Sequence, residues 1–114
     1  MIRLELIKTI IESPFSGNIE ANIEYARQAV KDSVHRGEAP IASHLLFTQP
    51  GILNDHDPDE RLLGCEAGWA WIKVADRMAV YMDFGISSGM KMAIHLAAQQ
   101  NLRIDYRTIL GDKA

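Results

Sequence analysis

The sequence predicts an α/β domain built on a small, mainly parallel sheet. Short β-branched runs alternate with longer segments whose apolar residues recur three and four positions apart, and turn residues separate them. The resulting order is strand, helix, strand, helix, strand, helix, strand, which favours four or five parallel strands with helices on both faces. A length of 114 residues suits one domain spanning residues 1–114.

The first strand is predicted over residues 7–12, and it stops at Ser13-Pro14 because proline cannot donate to a sheet ladder. Asn18 is positioned to cap the following helix, and Gly37 marks its end. The apolar stripe of that helix is formed by Ile19, Ile23, Ala26, Val30 and Val34. A second strand is predicted over residues 40–47, where the chain is apolar apart from Ser43 and His44.

Residues 57–60 predict the start of the second long helix, which should run to about Ala75. Asp57 is the expected N-cap, Pro58 the first helical residue, and Glu60 the partner in a capping-box-like pair. Because this helix is apolar on most sides, we expect it to be buried on most sides. In so small a domain, such a helix predicts a homo-oligomer formed through the segment that carries Trp69 and Trp71.

The last third of the chain predicts a strand over residues 78–82, a turn rich in glycine and serine over residues 83–89, a helix over residues 90–100 and a short strand over residues 104–109. Such alternation places ligands at the carboxyl ends of the strands. Three segments, residues 13–18, 44–49 and 83–90, are therefore expected to meet at one edge of the sheet.

The overall charge argues against some partners. The formal net charge is -3 and the pI is about 5.7, whereas a protein that binds a nucleic acid polymer normally carries a basic patch. No run reaches the roughly 18 apolar residues of a membrane span, and a cytoplasmic location is expected. Cys65 has no partner for an intrachain disulfide; a packed structural thiol is favoured over a nucleophile.

The turn before the last long helix has the clearest chemistry. Unpaired amides at a helix start attract phosphate or carboxylate, and Ser87 and Ser88 add hydroxyl groups. The alternative is that a serine only caps the helix and the glycines only shape the turn; both interpretations stay open. The ligand-binding candidates of the three segments are Ser13, Pro14, Phe15, Ser16, Gly17, Asn18, His44, Gly85, Ser87, Ser88, Gly89 and Met90.

Other candidates have a structural alternative beside the functional one. Asp83 is placed to bind a sugar hydroxyl or act as a base, or else to cap a backbone amide. His44 is a hydrogen-bonded core residue or a catalyst, with the first favoured, and Phe15 and Phe47 stack on a flat base or belong to the core. The other histidines show no metal-ligand spacing with one another or with Cys65, so neither a metal nor another cofactor is expected.

Two of these segments resemble nucleoside 2-deoxyribosyltransferase-like proteins, a group that includes small bacterial and phage members. The resemblance lies in the loop Ser13-Pro14-Phe15-Ser16-Gly17 and in the Asp83–Met90 turn, and it covers roughly residues 6 to 109 in element order. It implies a flavodoxin-like three-layer sandwich. It also implies cleavage or exchange of an N-glycosidic bond by a glutamate nucleophile, often in a site completed across a subunit boundary.

The family glutamate belongs in the first turn of the helix after the glycine turn, and this chain has Lys91 or Ala93 there. We therefore expect a nucleotide-binding protein without turnover, one that sequesters a signalling nucleotide such as a cyclic one. The alternative is an active N-glycosidase or deoxyribosyltransferase that uses another carboxylate: Asp83, Glu66 or Glu12. A third hypothesis is a purely structural module that assembles through the helix with Trp69 and Trp71.

Overall fold

A computed structural model describes residues 2–111 of the chain. Four parallel strands form one sheet in the order β2-β1-β3-β4. They are β1 (Ile7–Glu12), β2 (Glu38–Ile41), β3 (Arg77–Tyr81) and β4 (Arg103–Arg107). The predicted α/β class with a small parallel sheet is confirmed.

The helices alternate with these strands along the chain. They are α1 (Ile19–His35), α2 (Ser43–Leu46), α3 (Pro58–Trp69) and α4 (Ser88–Gln99), and a 3₁₀ turn (Ala70–Lys73) follows α3. None of the helices within residues 2–111 has the length and apolar character that crossing a membrane requires.

Hydrophobic side chains fill both faces of the sheet. Met78 and Val80 of β3 point to one face and pack with Met90, Ala93 and Ala97 of α4. The alternate residues of β3 point to the other face, since successive strand side chains alternate. There Ala79 and Tyr81 pack with Ile11, Tyr25 and Ala29. The sheet is thus covered by helices on both faces, and its central strands are β1 and β3.

Both ends of α1 follow the sequence prediction. The side chain of Asn18 accepts a hydrogen bond from the amide of Ala21 at 3.3 Å, so it caps the helix. Gly37 follows the last turn with φ of 83°, a left-handed conformation that glycine adopts without steric cost. The chain then enters β2 at Glu38.

The prediction of a strand over residues 40–47 was wrong in its second half. The strand covers Glu38–Ile41, and Ser43–Leu46 form the short helix α2. A short apolar run is compatible with either a buried strand or a buried helix, so periodicity alone does not separate the two. Pro40 is tolerated because β2 is an edge strand.

The start of α3 matches the prediction, but its length and burial do not. Asp57 accepts a hydrogen bond from the Asp59 amide at 3.0 Å, while Glu60 bonds the Asn54 amide at 2.7 Å instead of completing a capping box. The α-helix ends at Trp69 rather than near Ala75. The predicted burial on most sides was wrong for the single chain, since Gly68 is the one buried residue of the helix.

Candidate functional site

An open cavity of about 150 Å³ lies at the carboxyl ends of β1, β2 and β3. This volume is several times the roughly 30 Å³ that one water occupies in the liquid, so the cavity has room for more than a structural water. All three segments that were predicted to meet contribute to it. The predicted ligand-binding residues that line it are Ser13, Phe15, Ser16, His44, Ser87, Ser88, Gly89 and Met90.

Four residues predicted to bind a ligand lie outside the cavity lining: Pro14, Gly17, Asn18 and Gly85. Asn18 caps α1, and Gly17 and Gly85 adopt φ of 93° and 86° in the turns on either side of the cavity. The structure thus gives these three positions a local backbone role.

A fourth wall of the cavity comes from α3 and the loop before it, which the sequence analysis did not include in the site. Its lining residues are Leu53, Asp55, Glu60, Arg61, Gly64, Cys65 and Trp69, and Glu12, Ser43, Phe47 and Thr48 complete the cavity from the other segments. One sequence signal was available: Arg61, Cys65 and Trp69 recur every four residues and therefore share one helix face. Beside them, Gly64 and Gly68 allow close approach, with Gly68 packed against Ser43.

Ser13, which is buried, and His44, which is partly buried, form a polar pair that lines this cavity. Ser13 Oγ lies 2.7 Å from His44 Nε2, and the imidazole and the Phe15 ring are nearly perpendicular, with centroids 6.3 Å apart. Burial lowers the pKa of His44 to about 4, so the ring is neutral at neutral pH. A neutral ring has one nitrogen that accepts and one that donates, which makes Nε2 a suitable acceptor for the Ser13 hydroxyl.

The start of α4 confirms that a serine of the glycine–serine turn caps the helix, and anion binding at this turn stays a prediction. Ser87 caps the helix, because its Oγ accepts a hydrogen bond from the Met90 amide at 3.3 Å. Ser88 and Gly89 are the first two helical residues, so no earlier turn of the helix supplies a carbonyl for their amides. Both residues line the cavity, and a side chain at Gly89 would meet nothing within 4 Å.

The two carboxylates proposed as catalysts are held elsewhere. Glu66 is exposed on α3 and does not line the cavity. Asp83 accepts hydrogen bonds from the Tyr25 hydroxyl and from the amides of Ile109 and Leu110, both at 3.0 Å. Burial works to raise the pKa of Asp83, but these hydrogen bonds prevail and lower it. Asp83 therefore has the backbone-capping geometry of the structural alternative.

Of the three carboxyls considered as alternative nucleophiles, Glu12 is the one that lines the cavity. It is the last residue of β1, half-buried, and it lines the cavity beside Ser13. Burial raises the pKa of Glu12 to about 8. Cys65 lies in the same cavity, and burial likewise raises the pKa of its thiol. Within residues 2–111 no group of three potential metal ligands is arranged to hold an ion.

The comparison with solved structures concerns the fold. The 2-deoxyribosyltransferase of the psychrotolerant bacterium Bacillus psychrosaccharolyticus superposes with a TM-score of 0.63 at 14% sequence identity. The match covers 94% of this chain and 76% of that enzyme. The fold is therefore similar to that of the flavodoxin-like nucleoside deoxyribosyltransferases, as the sequence resemblance implied.

The comparison with family models identifies the group to which the sequence belongs. Among curated proteins, none matches the sequence. One family model matches residues 7–107, which include every strand of the sheet and every residue of the cavity lining. Because the match extends over most of the chain, the protein belongs to the family described as a domain of unknown function, DUF7768.

Proposed function

We propose that this protein binds a nucleoside or mononucleotide in the cavity and does not turn it over. The observation that carries the proposal is the position of Ser88 and Gly89, whose amides start α4 at the margin of the cavity. Helix starts of this kind bind phosphate groups through free amides and the helix dipole. Phe15, Phe47 and Trp69 line the same cavity and offer flat apolar surface for a base.

The arrangement of charge supports an anion at the α4 side. Asp55 and Glu60 lie on the α3 side of the cavity, where they disfavour a second negative group. Arg61 is the one basic side chain that lines the cavity within the described residues. A nucleotide with its phosphate at Ser88 and its base toward the aromatic residues keeps the phosphate away from the two acidic side chains.

The absence of turnover is proposed because α4 carries no carboxylate. It has Lys91 or Ala93 at the position where the resembled family has its glutamate, and residues 88–99 contain neither Asp nor Glu. A covalent glycosyl-enzyme intermediate requires a carboxylate at that point. Retention of a signalling mononucleotide, a cyclic one included, is the function that such a site would serve.

Calorimetry with deoxynucleosides, their 5′-monophosphates and cyclic mononucleotides tests the proposal, with Ser88→Pro as the decisive variant. Proline is favoured at the first helical position, and Ser88→Pro removes the amide hydrogen there together with the hydroxyl. Ser87 already has the extended backbone that a residue before proline needs. A hydrogen bond to a charged group contributes about 1.5–3 kcal/mol, so monophosphate binding should weaken roughly 10- to 100-fold.

The matched control is Ser88→Ala, which keeps the amide and removes the hydroxyl. Its monophosphate affinity is expected to exceed that of Ser88→Pro, and the affinity of uncharged deoxynucleosides should not differ between the two variants. Equal monophosphate affinity in the two variants would show that the amide at the start of α4 does not bind the phosphate. Absence of binding by every member of the panel at high micromolar concentration would refute the proposed function.

A second candidate function is cleavage of an N-glycosidic bond with Glu12 as the working carboxyl. The specific observation in its favour is that Glu12 lines the cavity, whereas Glu66 and Asp83 do not. Incubation with deoxynucleoside monophosphates, followed by chromatography for free base, decides between the two functions. Base released by the wild-type protein and not by Glu12→Gln would establish turnover and replace the binding-only proposal.

We also propose that a second copy of the chain packs on the exposed apolar part of the α3 region. The large apolar side chains of Leu62, Leu63 and Trp71 are 54%, 57% and 47% exposed. Exposed apolar patches of this kind mark surfaces that bind another protein. Sedimentation equilibrium on the wild-type protein and on Leu63→Arg tests this. A monomeric wild-type protein would refute it, and an assembly that Leu63→Arg dissociates would support it.

A further inference from the structure

We propose that Glu12 contacts the bound base as a neutral carboxylic acid, so that the site selects a base that offers Glu12 a hydrogen-bond acceptor. This inference rests on the proposed nucleoside-binding function and specifies the chemistry of the same site. A neutral carboxyl both donates and accepts, whereas an ionised one only accepts. In adenine and in cytosine, a ring nitrogen that accepts lies beside an amino group that donates. A neutral carboxyl complements this pair, because it donates to the nitrogen and accepts from the amino group.

The position of Glu12 in the fold leaves it facing the cavity. It ends β1, where it is the register partner of Val80 in β3. Apolar side chains of Phe47, Leu53, Trp69 and Met90 line the same cavity. Burial is the sole cause of its altered titration, with no contribution from a hydrogen bond or a neighbouring charge. The hydrogen-bond partner of the Glu12 carboxyl is therefore expected to come from the ligand in the cavity.

Charged and titratable groups reach the cavity from several elements. They are His44 of α2, Asp55 of the loop before α3, and Glu60, Arg61 and Cys65 of α3. None of these groups adds to the effect of burial on the Glu12 carboxyl, and Arg61 forms no ion pair with Glu12 in the part of the chain described. His44 is neutral above about pH 4, so it adds no positive charge near neutral pH.

A neutral Glu12 has a consequence for binding. Burial raises the pKa of Glu12 to about 8, so most molecules hold the proton at pH 7 and most have lost it at pH 9. An ionised Glu12 would place two acceptors face to face and leave a buried charge without a partner, which is unfavourable. Affinity for an uncharged nucleoside is therefore expected to fall about tenfold between pH 7 and pH 9, in proportion to the protonated fraction.

The experiment measures dissociation constants of the four common deoxynucleosides by calorimetry at pH 7 and pH 9. For the tightest binder, the ratio of the constants at pH 9 and pH 7 should be about ten in the wild-type protein and near one in Glu12→Gln, whose amide donates and accepts at both values. Glu12→Gln should also bind more tightly than the wild-type protein at pH 9. Glu66→Gln, outside the cavity, is the matched control and should keep the wild-type ratio.

Each outcome bears on one proposal or the other. A ratio near one in the wild-type protein, a ratio near ten in Glu12→Gln, or weaker binding by Glu12→Gln at pH 9 would overturn the inference while the binding function stands. Absence of binding by all four nucleosides and by their monophosphates would overturn the binding function. A ¹³C NMR titration of the Glu12 carboxyl in the free protein reports on the inference directly, since a midpoint near the ordinary glutamate pKa of about 4.3 would also overturn it.

Discussion

Ser13 Oγ lies 2.7 Å from His44 Nε2, and this hydrogen bond joins the end of β1 to the short helix α2. Ser13 is buried, and the imidazole sits in the cavity with its pKa lowered to about 4 by burial. The pair forms part of one wall of the cavity. Its effect on the free energy of unfolding can be measured without knowledge of the ligand.

The first prediction concerns acid stability. The unfolded chain binds a proton at His44 below its ordinary pKa of about 6.5, whereas the folded chain does not until about pH 4. The unfolded state therefore binds more protons across this window, and the free energy of unfolding should fall as pH decreases from 6.5 to 4. In His44→Gln, which can still accept from Ser13, this part of the decrease should disappear, a difference on the order of 2 kcal/mol. Urea unfolding at a series of pH values measures it, and identical pH profiles for the two proteins would contradict the prediction.

The parts of this fold that sequence reasoning predicted are those where a local signal and the tertiary structure agree. The β-branched run of β1 and the capped, periodic helix α1 were both placed correctly, because strand propensity, capping and apolar spacing point the same way there. The run at residues 40–47 lacks such agreement. Its strand begins two residues earlier, and residues 43–46 turn helical where the chain leaves the sheet edge.

The candidate site was predicted where it depends on topology and missed where it depends on packing. Parallel strands bring Ser13, His44 and Ser88 to one edge, and the sequence order suffices to predict that. The approach of Cys65 and Trp69 depends on how α3 folds over the sheet, which the periodicity of α3 does not determine. The burial of Glu12 is likewise a property of the assembled cavity, so the sequence pointed equally to Glu66 and Asp83.

The second prediction concerns the contact between α3 and α2. A Cβ added at Gly68 would lie 2.3 Å from Ser43 Oγ and 2.9 Å from Ser43 Cβ, closer than real Cβ contacts. Gly68→Ala should therefore destabilise the protein by about 1–3 kcal/mol through overpacking, although alanine is the better helix former. Gly68→Ala combined with Ser43→Gly should recover part of the loss. Gly89→Ala, with open space around the added methyl, is the control and should be neutral or slightly stabilising in urea unfolding. A Gly68→Ala protein as stable as Gly89→Ala would show that the two helices move apart freely.

The third prediction concerns the ion pair of Glu38 and Arg107. Their side chains are 2% and 5% exposed, and two hydrogen bonds of 2.6 and 2.8 Å join them. Arg107→Met should lower the free energy of unfolding by about 3–5 kcal/mol, because Glu38 would be left as a buried charge with Arg77 as its remaining cation. Lys8→Met breaks an exposed pair at 3.5 Å and should cost less than about 1 kcal/mol. Similar losses in the two variants would contradict the prediction.

The same pair predicts a second acid-dependent loss. Burial raises the pKa of Glu38, but hydrogen bonds from Arg107 and Ser33 outweigh it and lower the pKa to about 2. The unfolded chain takes up this proton near pH 4.5 and the folded chain only near pH 2, so the stability that Glu38 contributes should be lost as pH falls across that interval. Wild-type protein should lose more stability than Glu38→Gln between pH 4.5 and pH 2.5. Equal losses would show that Glu38 titrates alike in both states.

The last prediction separates a structural carboxylate from one that contacts ligand. Asp83 accepts from the Tyr25 hydroxyl and from the amides of Ile109 and Leu110, which together anchor the segment after β4. Asp83→Asn replaces one accepting oxygen by a donor group, so at least one of these partners loses its bond, and the free energy of unfolding should fall by about 1.5–3 kcal/mol. Because Asp83 lies outside the cavity lining, the monophosphate affinity of the folded variant should equal that of the wild-type protein. Calorimetry and urea unfolding on the same preparation measure both quantities. A variant of unchanged stability and weakened binding would reverse the assignment and return Asp83 to the ligand site.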